Sequence, residues 1–180
     1  MHCGQRGITA LDILITLSLV TVLMLVGIPG LREYAANQRI KSAVTRLQAD
    51  LRLARAEAIS LNGWIIACPG DDDSGCSGHP RWHKGWVLFM DLNGDRTLQS
   101  SEPVMRAAPH LEGLMALSSS GRSQLRFFPG GSAPASNSSI LVCDHRGAAS
   151  GRKLVLSNSG RIRQAQPGPG DEDRCPAGRV

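Results

Sequence analysis

The 180-residue chain lacks the short motifs that mark the commonest enzyme sites. It contains no Gly-x-Ser-x-Gly nucleophile turn, no glycine-rich phosphate loop and no His-Glu-x-x-His zinc motif. Aromatic residues make up only 4% of the chain, and it has no internal repeat. These absences argue against an enzyme and predict no cofactor and no catalytic metal. A membrane-anchored hydrolase with a dispersed site is the alternative.

Charge is absent from one long stretch near the N-terminus. No charged residue occurs between Ile13 and Leu31. As a helix rising about 1.5 Å per residue, this stretch would span roughly 28 Å, close to the hydrocarbon core of a bilayer. A secretory signal peptide would instead have a shorter apolar core and a small-residue cleavage site. Because the run continues directly into an amphipathic pattern, we predict a retained membrane-spanning helix.

The residues around the start of this run resemble the signal of type IV prepilins and pseudopilins. Gly7 is followed by Ile-Thr-Ala-Leu-Asp, and Thr9 and Pro29 stand where that family carries a threonine and a helix-kinking proline. The resemblance implies that a prepilin peptidase cleaves between Gly7 and Ile8 and then methylates the new N-terminus at Ile8. Ile8 departs from the usual Phe or Met, and Asp12 departs from the usual Glu.

Asp12 is the one acid near the start of the apolar run. A carboxylate inside a membrane segment is costly and usually marks function with a specific partner. By the resemblance, Asp12 would pair with the N-terminal amine of a neighbouring subunit, although Asp is one methylene shorter than Glu. The alternative is an acid at headgroup depth that only stabilises the helix N-terminus.

An amphipathic helix is predicted over residues 32–62. Its apolar positions recur in steps of four and three and form one stripe: Ile40, Val44, Leu47, Leu51, Ala54, Ala58 and Leu61. Basic residues occupy the other faces: Arg32, Arg39, Lys41, Arg46, Arg52 and Arg55. Asn62-Gly63 is a helix stop signal. We predict that the stripe packs under a sheet. A dimeric coiled coil is disfavoured because the stripe is short and rich in alanine at its end.

Beyond Gly63 the sequence favours short strands separated by Gly, Ser, Pro and Asn clusters. The strongest are residues 64–68 and 86–90, which are rich in β-branched and aromatic residues. Weaker strands are predicted at residues 104–106, 114–117, 124–128, 140–143 and 153–156. The predicted fold class is therefore α+β: a long N-terminal helix, membrane-spanning in its first half, packed against a small antiparallel β-sheet head.

The cysteines predict disulfides. Cys3 falls in the leader that cleavage would remove, and four cysteines remain: Cys68, Cys76, Cys143 and Cys175. An even number in an exported segment suits two disulfides in an oxidising periplasm. Three pairings are possible, of which we favour Cys68–Cys76 and Cys143–Cys175.

Two stretches offer alternative metal ligands. Cys76, His79 and His83 are close in sequence, but Cys68 is too far upstream for the usual spacing of a zinc ligand pair. In the segment Asp91–Glu102, oxygen side chains fall at positions one, three, five, nine and twelve of the EF-hand calcium loop. That loop needs Gly where this chain has Arg, and Asn-Gly-Asp is also a common tight turn. We favour a disulfide and a turn, without metal.

The head resembles the GspH/FimT branch of pseudopilins and minor pilins. Three matching segments follow one another: a Gly-Trp-hydrophobic strand (85–90), an Asp/Asn turn (91–95) and a Glu-Pro-hydrophobic segment (102–104). Two more lie further along the chain: a Phe-Phe-Pro-Gly-Gly segment (127–131) and a C-terminal strand-turn segment (154–163). The resemblance implies a subunit that assembles with other pilins through its N-terminal helix. It would be a minor type IV pilin of FimT type or, alternatively, a GspH-type pseudopilin of a type II secretion system.

Gly-Arg-Ile-Arg at residues 160–163 resembles an element that FimT-like pilins use to bind DNA during natural transformation. In a strand, Arg161 and Arg163 would share one face. Two guanidinium groups there can grip successive phosphates of double-stranded DNA without reading its sequence. Three further basic residues would extend the patch: Arg146, Arg152 and Lys153. The alternative is a solvated edge strand protected by charge.

The sequence thus predicts five segments: a leader (1–7), a transmembrane and assembly helix (8–31), an amphipathic helix (32–62), a β-rich head (63–166) and a tail (167–180). The tail is rich in Pro and Gly, a composition typical of disorder, but Cys175 predicts that part of it is attached to the head. The net charge of +5 favours polyanions or an anionic surface. The predicted location is the inner membrane, with a periplasmic head, and then a pilus or pseudopilus.

Overall fold

The computed structural model describes residues 9–71 and 73–178. Within them the chain divides into two compact units, one up to Gln38 and one from Arg39 onward. One long helix, α1 (Ala10–Ser60), runs through the first unit and into the second. The predicted cleavage and methylation site at Gly7 and Ile8 lies outside the described residues.

In the first unit, α1 exposes apolar side chains all around its circumference. Those of Leu11, Leu14 and Leu25 are 65%, 67% and 71% exposed. An 18-residue window here has the length and composition to cross a membrane. A helix that is apolar all round belongs in a protein core or a membrane, and none of this window is buried in protein. The helix continues through Pro29, which supplies no backbone N–H donor.

In the second unit, α1 buries the predicted stripe. The apolar side chains at 5% exposure or less are Ile40, Ala43, Val44, Leu47, Leu51, Ala54 and Ala58. Burying each large aliphatic side chain contributes about 1.5–3 kcal/mol. Leu61, which the pattern placed on the stripe, follows the end of the helix and is 48% exposed. The stop signal is confirmed: Asn62 adopts a left-handed φ of 50°, and the Gly63 N–H donates to the Ala58 carbonyl at 3.2 Å.

Two antiparallel sheets follow the helix. The strands are β1 (Trp64–Asp71), β2 (Gly75–Cys76), β3 (Trp86–Asp91), β4 (Val104–Ala108), β5 (Met115–Ser118), β6 (Leu125–Phe127), β7 (Ser138–Cys143), β8 (Arg152–Leu156) and β9 (Ile162–Ala165). Short 3-10 turns occupy Trp82–Lys84, Ser119–Gly121, Ala148–Ser150 and Glu172–Arg174. The first sheet has the order β2-β1-β3-β4, with β6 beside β1, and the second has the order β5-β7-β8-β9.

Each sheet packs one face on the helix and covers the other with its own loop or tail. Alternate residues of both sheets, such as Ile65 and Ile140, join the helix stripe in one core. The other face of the first sheet holds the Cys68–Cys76 disulfide and packs on Leu98, from the loop between β3 and β4. The other face of the second sheet packs on the tail, which the Cys143–Cys175 disulfide attaches. Both predicted pairings are confirmed, and the first removes two thiols from the alternative zinc site.

The α+β prediction is confirmed, with two differences in detail. The head contains two sheets rather than one, because strands β5 to β9 pair among themselves except for β6. The strand pattern also missed β2, which has only two residues. It pairs with Gly70 and Asp71 beside the disulfide, so the covalent bond rather than strand propensity holds it in place.

Candidate functional site

The two arginines of the Gly-Arg-Ile-Arg motif lie on one face of the outermost hairpin of the second sheet. Strand β9 is the edge, and Ile162 pairs with Leu156 of β8. Ile162 is buried, whereas Arg161 and Arg163 are exposed. Arg161 precedes the strand and extends the ladder by one residue, since its carbonyl accepts the Ser157 N–H at 3.1 Å. Alternation therefore directs both guanidinium groups away from the core.

Neither guanidinium group is engaged by the described part of the head. Among the residues that the structure describes, no ion pair includes Arg161 or Arg163. Within the same residues, their hydrogen bonds outside the strand ladder are backbone contacts to Ser157. We call this pair of residues the arginine face.

Steric crowding explains why the first position of the motif is glycine. Gly160 has φ +75°, and a Cβ atom there would lie 1.9 Å from the Gly131 carbonyl oxygen. That same oxygen accepts a hydrogen bond from Arg55 Nε of α1 at 3.0 Å. Glycine at position 160 thus lets the β8–β9 turn approach both the Gly131 loop and the helix, which fixes the position of Arg161.

Two of the three residues predicted to extend the patch are already paired. Lys153 Nζ lies 2.7 Å from an Asp171 carboxylate oxygen. Arg146 forms hydrogen bonds of 2.8–3.0 Å with both oxygens of Asp144. Burial raises the pKa of Asp144, but the hydrogen bonds from Arg146 lower it by more, so the pKa of Asp144 is below its ordinary value. These two cations are partly neutralised inside the head.

The third residue, Arg152, lies on the other face of the sheet. It pairs with Val142 of β7, and Val142 belongs to the core that faces the helix. Because side chains alternate along a strand, Arg152 lies on the face of the sheet that packs on the helix. Arg163 pairs with Val155 and lies on the opposite, outer face. The candidate DNA surface therefore narrows to the arginine face.

The tail forms a strap across the second sheet. Asp171 accepts hydrogen bonds from Lys153 Nζ, Arg174 Nη1 and the Gly168 N–H at 2.7, 2.7 and 2.8 Å. Arg174 also donates to the Ser139 carbonyl at 3.0 Å. Burial raises the pKa of Asp171, but these partners lower it by more, so its pKa is below the ordinary value. The tail is ordered by these bonds and by its disulfide, despite its composition.

Sequence reasoning missed Asp50, a carboxylate of α1 that is only 2% exposed. It accepts a hydrogen bond from Trp86 Nε1 at 2.9 Å and pairs with Arg106 Nε at 3.1 Å. The signal was available, because Asp50 lies three residues after Leu47 and four before Ala54, on the apolar stripe. An acid at such a position predicts a partner that crosses to another element.

Carboxylates of the Asp91–Glu102 loop accept hydrogen bonds from the loop's own backbone, and the remaining Asp91 oxygen, Oδ2, lies 3.6 Å from Arg126 Nη2 of β6. Asp91 Oδ1 accepts the Gly94 N–H at 2.7 Å, and Glu102 accepts the N–H groups of Leu92 and Gln99 at 2.8 and 3.1 Å. Across residues 9–71 and 73–178, no group of three or more His, Cys, Asp or Glu side chains is placed to hold a metal ion. The geometry supports the interpretation of this segment as a turn.

Asp12 closes a capping box at the start of α1. Its Oδ2 atom accepts hydrogen bonds from the Thr9 N–H at 3.0 Å and from Thr9 Oγ1 at 2.8 Å. In return, the Asp12 N–H donates to Thr9 Oγ1 at 3.3 Å. Reciprocal bonds of this kind satisfy backbone donors that have no partner within the helix. Asp12 therefore has a local structural role besides any role between subunits.

This architecture is pilin-like: the first part of a long helix is apolar, and its second part packs under two antiparallel sheets that each carry a disulfide. The chain belongs to the GspH family, since the family described as Type II transport protein GspH matches residues 43–160. Subunits of the pilin and pseudopilin class act by assembling with other pilins, so the function supported here is structural.

Individual relatives agree with this assignment. The pilin-like protein PilA1 of Thermus thermophilus is 29% identical over 169 residues, covering 88% of this chain and 97% of PilA1. The type IV minor pilin FimU of Pseudomonas aeruginosa PAO1 has a TM-score of 0.57 at 23% identity, covering 79% of this chain and 96% of FimU. The minor pseudopilin EpsH of the Vibrio cholerae Type 2 Secretion System has a TM-score of 0.53 at 15% identity, covering 72% and 98%. The two structural matches share the fold.

Proposed function

We propose that this protein is a minor type IV pilin of FimT type whose head binds double-stranded DNA without sequence preference. The precursor inserts into the inner membrane, is cleaved by prepilin peptidase between Gly7 and Ile8, and is methylated at Ile8. It then enters a pilus through the helix over residues 8–31. The observation that carries the proposal is the arginine face: two exposed guanidinium groups on one side of an edge hairpin.

The arginine face suits a phosphate backbone. A guanidinium group can donate two parallel hydrogen bonds to one phosphate, and side chains two residues apart in a strand reach neighbouring phosphates. Such contacts carry no sequence information and weaken as salt rises. A pilus that carries this head would capture DNA of any sequence.

A gel-shift titration of the full chain in detergent micelles with a short DNA duplex tests DNA binding. Replacing both residues (Arg161→Gln with Arg163→Gln) should weaken binding roughly 100-fold or more, because each of the two charge-assisted contacts is worth about 1.5 kcal/mol or more. Arg39→Gln, an exposed arginine elsewhere on the helix, is the control and should bind as wild type does. Equal binding by all three proteins would refute the proposal.

Assembly through Asp12 is the second part of the proposal. Asp12 pairs with the N-terminal amine of a neighbouring subunit, and the capping box with Thr9 is the competing explanation for the acid. Asp12→Ala should abolish incorporation into filaments, and Asp12→Glu should retain it. Thr9→Ala removes the hydroxyl of the cap but keeps the carboxylate, so it should reduce incorporation much less. Similar losses in Asp12→Ala and Thr9→Ala filaments would leave only the capping role.

A second candidate function is a GspH-type pseudopilin of a type II secretion system. The family match and the shared fold with EpsH favour it. Deleting the gene discriminates between the two. We expect loss of DNA uptake or of pili with protein secretion intact. Loss of secretion with normal pili and uptake would support the pseudopilin instead.

A further inference from the structure

A groove of about 410 Å³ lies between the last turns of α1 and the turn that joins β8 to β9. The helix contributes Arg52, Arg55, Ala56 and Ile59, and the hairpin contributes Gly160, Arg161 and Ile162. We call it the helix–hairpin groove. It contains one residue of the arginine face together with two arginines that the sequence motif does not include.

The helix residues reach the groove because of their spacing. Positions 52, 55, 56 and 59 recur in steps of three and four, so they form one face of α1 beside the buried stripe. Arg55 is held in place, since its Nε atom donates to the Gly131 carbonyl at 3.0 Å. Among the described residues, no hydrogen bond or ion pair occupies its two terminal nitrogens, so both can donate to a ligand. Arg52 is exposed at the rim.

The chemistry of the lining matches a phosphodiester. Three guanidinium groups border the groove, and none of the described residues that line it is acidic. The remaining wall is apolar, formed mainly by Ile59 and Ile162, and this suits the deoxyribose next to a phosphate. An arginine that is already fixed loses less side-chain entropy when it binds.

We propose that the helix–hairpin groove is a phosphate site, in which Arg52 and Arg55 of α1 act together with Arg161 on one phosphate of the DNA backbone. The proposal rests on the DNA-binding function proposed above and extends it from the hairpin to the helix. Arg163, which lies on the same face of the hairpin as Arg161, then meets the next phosphate. The DNA backbone therefore runs from the helix–hairpin groove onto the arginine face.

DNA titration of the full chain in detergent micelles, at fixed low salt, tests this site with Arg52→Gln. Arg52 is exposed and forms no ion pair with the described residues. The variant should therefore fold normally and bind duplex about 3- to 10-fold more weakly. The control is Arg39→Gln, which removes the same charge about 20 Å earlier along the helix and should not weaken binding. Wild-type affinity in Arg52→Gln would overturn the proposal.

A double variant tests whether the arginines share one phosphate. If Arg52 and Arg161 hold the same group, Arg52→Gln with Arg161→Gln should weaken binding by less than the product of the single effects. A fully multiplicative loss would place them on separate phosphates and contradict the proposal.

A competition experiment distinguishes DNA from an acidic protein segment as the ligand of the groove. Poly-glutamate of matched charge should compete poorly with the duplex. Equal competition would instead assign the groove to an acidic protein segment.

The variants distinguish failure of the phosphate site in the groove from failure of DNA binding by the arginine face. If the variant lacking both Arg161 and Arg163 binds like wild type, DNA binding by the arginine face fails, and the phosphate site fails with it. If that variant binds weakly while Arg52→Gln is unaffected, the arginine face stands and only the groove is refuted.

Discussion

Buried aspartates join parts of the head that are distant in sequence. Asp50 connects α1 to Trp86 and Arg106 on two neighbouring strands, and Asp171 connects the tail to Lys153. A buried carboxylate is stable only when its hydrogen-bonding capacity is met. Each therefore specifies how one element packs on another, in addition to the apolar core.

Replacing Asp50 should reveal this role in the stability of the head. Asp50→Ala should lower the free energy of unfolding by about 3 kcal/mol, because Trp86 Nε1 loses its buried acceptor and Arg106 its partner. Arg106 is half-exposed, so Arg106→Gln should cost about 1 kcal/mol or less. Urea denaturation of the full chain in detergent measures both. Equal losses would show that Asp50 acts only through its surface ion pair.

Gly160 lets the β8–β9 turn approach the Gly131 carbonyl oxygen. Gly160→Ala should destabilise the head by roughly 2 kcal/mol more than Gly113→Ala does. Both positions have positive φ, but only a side chain at Gly160 meets a backbone oxygen. The measurement is thermal or chemical unfolding of the two variants, and DNA binding by Gly160→Ala should fall because Arg161 moves. Equal stability of the two variants would refute the close approach to Gly131.

At the scale of helices and strands, the sequence predicted the elements whose pattern of apolar residues repeats along the chain. The helix stripe and the central strands were recognisable because burial repeats along the chain. The division into two sheets was not, because it depends on pairing between strands far apart. The position of Arg152 required the strand register, in which a shift of one residue reverses the face.

The site shows the same limit of sequence reasoning. The motif indicated Arg161 and Arg163 directly. Arg52 and Arg55 were recognised only as lying off the buried stripe, since nothing in the sequence brings the helix and the hairpin together. The pairing of Lys153 with Asp171 likewise depended on how the tail folds back across the sheet.

The tail strap should loosen in acid. The pKa of Asp171 is lowered below 3.8 in the folded head. Its contribution to stability is therefore complete above the unfolded-state pKa and is lost as pH falls through the lower folded-state value. Unfolding free energies measured from about pH 6 down to about pH 3, a range that spans the ordinary aspartate pKa, should decline less steeply for Asp171→Asn than for wild type. Parallel curves would show that Asp171 contributes no pH-dependent stability.

At the scale of the whole molecule, the proposed function divides assembly and DNA binding between the two compact units. The first, up to Gln38, offers an apolar helix for a membrane or a filament core. The second, from Arg39 onward, carries the core, both disulfides and the arginine face. Assembly and DNA capture would thus depend on different residues, so variants of Asp12 should leave DNA affinity unchanged.

The salt dependence of DNA binding is the sharpest test of whether the arginine face contacts phosphates. Plotting the logarithm of the duplex binding constant against that of the salt concentration should give a straight line with negative slope for the wild-type chain. Because each phosphate contact contributes about 0.9 to that slope, removing Arg161 and Arg163 together should reduce its magnitude by about 1 to 2. A slope that is the same in both proteins would contradict phosphate binding by the arginine face.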